Sequence, residues 1–389
     1  MSGKRDASEA TSRATARDAW LLALVWVALA CHDALWLAID RSVPDWDQAK
    51  YLTAALNYWG ILQHPEWTSG RWWTDFWQLA PKTPPLAAVT AVPFVAWLGT
   101  GYRQMMLVHA LYSAVWLAAW YVLGRLLFDR STARWAVALA AILPAVNQAR
   151  LRFTLDFPMM TAVAVAFLVL TWWRRRVLVN RNRAGGWWLA MLVGVSLGCA
   201  LLVKQQAAVF FVVPVAWTVV SALRQRQWRA LGHLTVSLGI AWGLVWPWFR
   251  ASWLEILSGS WRATAVAASG QQPPMWSVAG WTAYLRGWPE LVSWPVVVVF
   301  AIPVAWLVRY GIAGGRGFSP VKELAAHRPA PAADADRRSV AWLAVFVVAS
   351  VLVASLSPNR LPRYLLPVVP PFVLLMVWGC GAMMLIFLV

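Results

Sequence analysis

The sequence is poor in charged residues, in acidic residues above all, and in cysteine. Only 13% of its 389 residues are charged, against about 25% in an average soluble domain. The 16 acidic residues are outnumbered by 34 basic ones, and 60% of the chain is apolar, which is more than one soluble core can bury. The composition therefore excludes an ordinary soluble enzyme and a disordered chain, and it predicts a polytopic membrane protein.

Motifs for metal fingers, disulfide frameworks and nucleotide binding are also lacking. The three cysteines, Cys31, Cys199 and Cys380, all lie in apolar runs, with no CxxC spacing and no nearby histidine pattern that could hold zinc. No GxGxxG, GxxxxGK or GxSxG motif occurs in the chain. The sequence therefore offers no visible cradle for nucleotide-sugar chemistry.

Long apolar runs dominate the chain and predict an all-α fold with about ten transmembrane helices. A polar tail at 1–18 precedes the first run, which we expect to be an uncleaved helix, and 19–389 is predicted to form a single transmembrane domain. The ten runs fall near 19–40, 104–124, 134–149, 157–173, 187–203, 206–223, 231–249, 291–310, 340–357 and 364–389.

Basic residues orient these crossings. With the tail in the cytoplasm, ten crossings leave four basic clusters on the cytoplasmic side, at 125–134, 174–183, 224–229 and 309–338. This agrees with the positive-inside rule, so the net charge of +18 reflects membrane topology and not nucleic-acid binding. Segment 311–338, rich in Pro, Ala, Asp and Arg, is predicted to be a flexible cytoplasmic linker.

Two long segments, 41–103 and 250–290, are predicted on the opposite, external side, together with three short corners at 150–156, 204–205 and 358–363. A functional site is expected on this side. In the first segment, Trp-rich pieces at 45–60 and 65–80 predict amphipathic juxtamembrane helices that lie along the membrane surface.

Segment 84–100 tests this topology, because a further crossing there would invert every later loop. The segment is apolar but short, begins with Pro84 and Pro85 and contains Pro93. We therefore predict a re-entrant or interfacial helix that does not cross the membrane.

Two pairs of glycines have the GxxxG spacing that lets helices approach closely. They are Gly194 with Gly198 and Gly239 with Gly243. This spacing predicts close helix packing inside one subunit more often than dimerisation.

Short motifs in the predicted external segments occur in a characteristic order after the first apolar run. They are Asp45 and Asp47 followed by Tyr51; Lys82-Thr83-Pro84-Pro85-Leu86; Arg152 with Asp156-Phe157-Pro158; and Arg363-Tyr364-Leu365-Leu366-Pro367. This order resembles the GT-C membrane glycosyltransferases, and among them the protein mannosyltransferase and aminoarabinose transferase branch. The resemblance covers about residues 19–389.

The resemblance implies an integral membrane glycosyltransferase that moves a sugar from a polyprenyl-phosphate donor to a lipid, glycan or protein acceptor, with inversion. It implies a bacterial inner membrane protein whose site lies on the periplasmic or extracellular face. Nucleic acid is not an expected partner. The alternative is a transporter or flippase of a lipid-linked sugar, although the sequence shows no convincing internal repeat of the transporter kind.

Three aspartates are the candidate catalytic residues. Asp47 matches the family's acidic position and is the expected base, whereas Gln48 stands where the family has a second acid. Asp45 either supplies that second acid or caps a surface helix. Asp156 either pairs with Arg152 at four-residue spacing or faces Asp47, where it would hold a divalent cation or orient the acceptor.

Basic residues at the external corners are the candidates for binding the lipid phosphate. Lys82 and Lys204 either bind this phosphate or extend to the membrane interface, and Arg360 and Arg363 either bind it or anchor a tight turn. The complete set of predicted phosphate-binding residues is Lys82, Lys204, Arg152, Arg360, Arg363, Lys50 and Tyr51.

Overall fold

The computed structural model describes residues 2–181, 184–268, 273–274, 276–302, 330–357 and 359–388. Helices dominate this part of the chain, and it contains no strand. The first nine helices are α1 (Ser2–Ile39), α2 (Trp46–Gln63), α3 (Gly70–Gln78), α4 (Leu86–Leu98), α5 (Tyr102–Met106), α6 (Val108–Leu127), α7 (Arg130–Ala141), α8 (Pro144–Arg150) and α9 (Asp156–Trp173).

The second half of the chain adds nine more described helices. They are α10 (Gly186–Val203), α11 (Ala208–Arg224), α12 (Trp228–Ala268), α13 (Val278–Trp281), α14 (Ala283–Arg286), α15 (Trp288–Val292), α16 (294–302), α17 (Ala330–Ser355) and α18 (Val369–Leu388). A π-helical turn, Arg174–Val179, continues α9, and two 3-10 turns, Gln205–Ala207 and Pro362–Val368, precede α11 and α18.

Eight of the described helical segments are long and apolar enough to cross a membrane, so the predicted all-α polytopic fold is confirmed. They are Thr15–Ile39, Tyr102–Leu127, Asp156–Val179, Gly186–Val203, Gln205–Arg224, Trp228–Gly259, Arg337–Ser355 and Pro362–Gly381. The predicted run at 134–149 is not a single helix. The run at 291–310 and the linker at 311–338 lie partly outside the described residues.

The break between α7 and α8 has a simple cause. Pro144 begins α8, and the residue before it is extended, as the proline ring requires, so the prediction of one continuous helix was wrong. Ion pairs nevertheless join both ends of this stretch to α1: Arg134 Nε lies 2.8 Å from Asp18 Oδ1, and Arg150 Nε lies 2.5 Å from Asp33 Oδ2. These aspartates are about 22 Å apart along a helix. The broken segment therefore lies alongside the part of α1 between Asp18 and Asp33.

Helix α9 forms the centre of the bundle. In its membrane-length segment 72% of the residues are buried inside the protein, against 6% for α1, which lies at the periphery. The neighbouring core is built from large apolar side chains of α6, α9 and α17, including Trp116, Phe167 and Phe346. The residues at the first turn of α9 are therefore held rigidly.

Close helix packing occurs at one of the two glycine pairs. A Cβ on Gly194 would lie 2.5 Å from the Ser237 carbonyl oxygen, and one on Gly198 would lie 2.8 Å from Leu244, so α10 and α12 pack closely here. At Gly239 and Gly243 a Cβ would meet nothing within 4 Å among the described residues. The prediction of close helix packing is therefore confirmed for the first pair, and no described contact supports it for the second.

Helices α2, α3 and α4 form a small layer with its own apolar core. Tyr58 of α2, Phe76 of α3 and Val95 of α4 are buried in it, while Trp67 and Trp73 remain exposed near the start of α3. Helix α4 has 13 residues and is therefore about 20 Å long, short of a ~30 Å hydrocarbon core. The interfacial character of this layer stays a prediction.

Cysteine labelling tests the predicted sidedness. Cysteine is introduced at exposed Thr68 or exposed Gln225, in a background that lacks Cys31, Cys199 and Cys380. An impermeant thiol reagent added outside is expected to label Thr68→Cys, and to label Gln225→Cys only after the membrane is permeabilised. External labelling of Gln225→Cys in intact cells would contradict the ten-crossing topology.

Candidate functional site

Four charged residues, distant in sequence, meet at one end of the helix bundle and form the charged cluster: Asp47, Asp156, Lys204 and Arg363. Lys204 Nζ lies 2.7 Å from Asp156 Oδ1. Arg363 Nη2 lies 3.0 Å from Asp47 Oδ2, and Arg363 Nε lies 3.8 Å from Asp156 Oδ2. Arg363 therefore bridges two of the three carboxylates that were predicted to be catalytic.

The cluster forms because helix ends converge on it. Asp47 lies in the first turn of α2 and Asp156 begins α9, and carboxylates are favourable at such N-termini. Lys204 is extended at the break between α10 and the following 3-10 turn. Arg363 comes directly after Pro362, which begins the 3-10 turn before α18.

The two ion pairs differ in exposure. The Asp156 and Lys204 side chains are 7% and 17% exposed, whereas Asp47 and Arg363 are each 38% exposed. The first pair is thus deep and fixed. The second is open enough for an incoming ligand to replace one partner.

Two lysines and a tyrosine lie near the open pair. Desolvation lowers the pKa of Lys50, the charge of Lys82 lowers it further, and Asp47 acts in the opposite direction. Burial raises the pKa of Tyr51, and the carboxylates of Asp47 and Asp156 raise it further. The Tyr51 phenol therefore keeps its proton at neutral pH and can donate a hydrogen bond.

Tyr364 is a site residue that the sequence interpretation did not select. Its ring centroid lies 5.0 Å from Lys204 Nζ and 5.7 Å from Arg363 Cζ, which is within the range of cation–π interactions. The signal that could have found it is its position directly after Arg363 in the last external motif.

The charged cluster and the two neighbouring lysines together carry a positive net charge. Lys50, Lys82, Lys204 and Arg363 supply four positive charges against the two carboxylates of Asp47 and Asp156. Such a surplus in a partly desolvated site attracts an anion. The geometry thus provides an anion-binding region beside one accessible carboxylate.

Asp45 and Arg152 lie outside the charged cluster. Asp45 caps α2, since its Oδ1 accepts a hydrogen bond from the Gln48 backbone nitrogen at 3.0 Å. Arg152 is exposed, and the predicted pair between Arg152 and Asp156 is wrong because Asp156 is held by Lys204 and Arg363.

Arg360 makes the contacts of a turn anchor. It is buried, and it donates hydrogen bonds to the Ser355 carbonyl at 3.1 Å and to the Pro273 carbonyl at 2.8 Å. These bonds fix the chain between α17 and the 3-10 turn that carries Arg363. The alternative of turn anchoring therefore fits Arg360, while Arg363 lies in the cluster.

A polar cavity of about 670 Å³ opens beside the start of α2. Gln48 is buried, and its Oε1 accepts hydrogen bonds from the Tyr102 hydroxyl at 3.0 Å and the Phe153 backbone nitrogen at 3.3 Å. In the described part of the chain the Gln48 amide nitrogen has no hydrogen-bond partner, so it is available to a ligand in the cavity. The polar lining includes His32, Asp40, Asp45, Gln48, Arg152 and Glu290.

The residues of the cluster do not fit a divalent cation. Such an ion prefers several oxygen ligands, but Asp47 and Asp156 are already neutralised by Arg363 and Lys204. Across the residues that the structure describes, no group of three His, Cys, Asp or Glu side chains could hold a metal.

The fold and site define a helical integral membrane protein whose cationic site lies at one end of the bundle. The chain belongs to the dolichyl-phosphate-mannose-protein mannosyltransferase family, whose model matches residues 46–259. The matched region contains Asp47, Asp156 and Lys204.

Individual relatives agree with this assignment. The chain is 23% identical over 221 residues to undecaprenyl phosphate-alpha-4-amino-4-deoxy-L-arabinose arabinosyl transferase 2 of Pseudomonas fluorescens, which covers 54% of this chain and 33% of that protein. The structure of ArnT from Cupriavidus metallidurans bound to undecaprenyl phosphate matches with a TM-score of 0.61 at 18% identity, over 92% of this chain and 60% of the other.

An archaeal structure shares the same architecture more distantly. The oligosaccharyltransferase of Archaeoglobus fulgidus in its apo form matches with a TM-score of 0.50 at 12% identity, over 92% of this chain and 50% of the other. The predicted GT-C fold is confirmed by these comparisons. The chain spans a third of the length of the curated relative and 60% of the length of ArnT.

Proposed function

We propose that the protein is a glycosyltransferase that moves a sugar from a polyprenyl-phosphate donor to an acceptor at the non-cytoplasmic face of a bacterial inner membrane. The observation that carries the proposal is Arg363, which joins Asp47 and Asp156 inside a cluster of surplus positive charge. In this proposal residues 19–389 act as one transmembrane domain behind the tail at 1–18, and segments 41–103 and 250–290 face the site.

The donor phosphate binds among Lys204, Arg363, Lys82 and Lys50. A phosphate monoanion or dianion is stabilised by charge-assisted hydrogen bonds from such groups, and Arg363 can offer its planar fork to two oxygens. Membership of the mannosyltransferase family and the undecaprenyl phosphate bound to ArnT support a lipid-phosphate donor. The exposed Asp47–Arg363 pair is the place where the phosphate enters.

Asp47 acts as the base in a single displacement. The acceptor hydroxyl oxygen forms a bond to the anomeric carbon while the bond from that carbon to the phosphate oxygen breaks. The electron pair of the broken bond leaves on the phosphate, which the cations stabilise, and the acceptor proton passes to the Asp47 carboxylate. Attack opposite the leaving phosphate inverts the anomeric configuration.

Asp156 holds the cations in place. It is buried and bound to Lys204, with Arg363 on its other oxygen, so its carboxylate orients both positive groups toward the donor. Its burial and its two cationic partners make it a poor base for an acceptor. We therefore assign proton transfer to Asp47 and positioning to Asp156.

The acceptor binds in the 670 Å³ cavity beside the start of α2, which Asp45 and Gln48 line. Its hydroxyl is presented to Asp47, which lies between these two residues in the sequence. Asp40, Asp45 and Glu290 make this cavity acidic, with Arg152 as the one Lys or Arg among its lining residues. Such a lining suits hydroxyl-rich groups that are neutral or amino-bearing and disfavours a densely phosphorylated acceptor. Gln48 offers its free amide nitrogen to an acceptor oxygen.

Product analysis tests transfer against transport. Purified protein in liposomes is incubated with undecaprenyl-phosphate aminoarabinose or dolichyl-phosphate mannose and with a bacterial envelope extract as acceptor. We expect free polyprenyl phosphate and a glycosylated acceptor to accumulate from one of the two donors. Recovery of both donors intact, with either one moved to the other leaflet, would assign the protein to the transporter class.

A further inference from the structure

A second basic site lies at the far end of α9 from Asp156. The π-helical turn Arg174–Val179 and the part of α17 near Arg338 enclose a cavity of about 140 Å³. Its polar lining consists of Thr171, Arg174, Arg175, Asn180, Arg338 and Ser339. The 18 residues of α9 place this cavity about 27 Å from the charged cluster, so the two sites are separate.

The cations of this cavity have no acidic partner in the described parts of the chain. No ion pair joins Arg174, Arg175 or Arg338 to a described carboxylate, and Arg174 Nε is buried without a hydrogen-bond partner. A buried unsatisfied donor is unfavourable, and each such group in a folded protein calls for an explanation. An anion bound in the cavity would neutralise the arginine side chains that line it.

Aromatic and hydroxyl groups hold Arg174 in position. Its guanidinium lies over the Trp342 ring at 4.5 Å, and Trp342 Nε1 donates a hydrogen bond to Thr171 Oγ1 at 2.8 Å. The Arg174 side chain is therefore oriented before any ligand arrives. π-Helical turns of this kind are rare and occur frequently at functional sites.

The positive-inside rule does not account for this arrangement. That rule requires basic residues in cytoplasmic loops, and exposed side chains would satisfy it. Here Arg174 and Arg175 are only partly exposed and, together with the exposed Arg338, line one small cavity between membrane-length helices. Basic pockets of this type, at the membrane edge, accept lipid head groups.

We propose that this cavity binds a phosphate group, either as the phosphodiester of an anionic phospholipid in the adjacent leaflet or as free phosphate. Arginine forks bind phosphate oxygens through two parallel hydrogen bonds, and Asn180 and Ser339 can add neutral donors. A volume of about 140 Å³ holds a phosphate but not a complete sugar-bearing lipid head group. By contacting both Arg174 and Arg338, the bound phosphate would hold the end of α9 against α17.

The test uses the full chain in vesicles and does not depend on its catalytic activity. Thermal stability is measured in phosphatidylcholine vesicles, in vesicles with added phosphatidylglycerol, and in phosphatidylcholine with inorganic phosphate. Wild type, Arg174→Gln, Arg338→Gln and the double variant are compared. Arg224→Gln is the matched control, because Arg224 is an exposed arginine at the end of α11 and does not line the cavity.

Phosphatidylglycerol is expected to raise the Tm of the wild type and of Arg224→Gln. The Tm shift of each variant is measured relative to the same variant in phosphatidylcholine alone. A difference in stability without the anionic lipid therefore does not affect the comparison. Each cavity variant should bind the anionic lipid at least about tenfold more weakly, and the double variant should show no lipid-dependent shift. Arg174→Lys keeps the positive charge but loses the planar guanidinium group, so it should retain only part of the lipid-dependent Tm shift.

Inorganic phosphate distinguishes the two sources of the ligand. A full shift with phosphate alone assigns the cavity to free phosphate, and a shift with phosphatidylglycerol only assigns it to a lipid head group. An unchanged lipid-dependent shift in the double variant would overturn the proposal, and so would an equal loss in Arg224→Gln.

Discussion

Replacing Asp47 by Asn is expected to lower sugar transfer by about 10²–10⁴-fold, because the variant keeps the size of the side chain and removes the base. Donor binding should stay the same or become tighter, since Arg363 loses its nearer carboxylate partner and keeps only the longer contact with Asp156. Initial transfer rates and binding of polyprenyl phosphate are measured on the same purified variant. A large loss of transfer rate with donor binding retained indicates a chemical role for Asp47, whereas a loss of both indicates a binding role.

Asp45→Asn is the matched control for this variant. Asp45 caps α2, and Asn caps helices about as well as Asp, so the start of α2 should remain intact. Because Asp45 lines the proposed acceptor cavity but is not assigned as the base, its transfer rate should fall far less than that of Asp47→Asn. Parental activity in Asp47→Asn, or an equal loss in Asp45→Asn, would remove Asp47 from the mechanism.

The second large effect is expected at the buried pair. Lys204→Met leaves the Asp156 carboxylate without its nearest positive partner in a position that is 7% exposed. The loss of one member of a buried ion pair costs about 3–5 kcal/mol. We expect a matching fall in the free energy of unfolding, measured in detergent, and the loss of detectable polyprenyl phosphate binding.

A double variant separates stability from function at this pair. Lys204→Met with Asp156→Leu removes both charges, and replacing a buried pair with apolar side chains is often neutral or stabilising. Stability should therefore return while donor binding stays weak, because the cation is still absent. Recovery of donor binding in the double variant would show that Lys204 serves the fold and not the phosphate.

The sequence locates much of the site through the boundaries of its apolar runs. Lys204 and Arg363 lie at run ends on the predicted external side, and Asp47 lies at the family's acidic position in the first external segment. The structure brings these three residues together with Asp156. Their partners were not predictable, because Arg363 and Asp47 are 316 residues apart and Lys204 and Asp156 are 48 apart. Local spacing instead suggested Arg152 as the partner of Asp156.

Helix phase explains the difference between the two neighbouring aspartates. Asp45 is the N-cap of α2 and turns its carboxylate back to the Gln48 backbone, whereas Asp47 lies in the first turn and reaches Arg363. Residues two positions apart in an α-helix point in directions that differ by about 200° around the helix axis. The residue at which α2 begins therefore decides which of the two aspartates faces the charged cluster. Sequence patterns rarely fix that start to one residue.

A structure of the protein with bound polyprenyl phosphate tests the central claim most directly. The account predicts that the phosphate lies in ion-pair contact with Lys204 Nζ and the Arg363 guanidinium, with its free oxygen directed toward Asp47. Lys82 and Lys50 should lie at the rim. A polyprenyl phosphate found only at the Arg174 end of α9, with none at the charged cluster, would contradict the account.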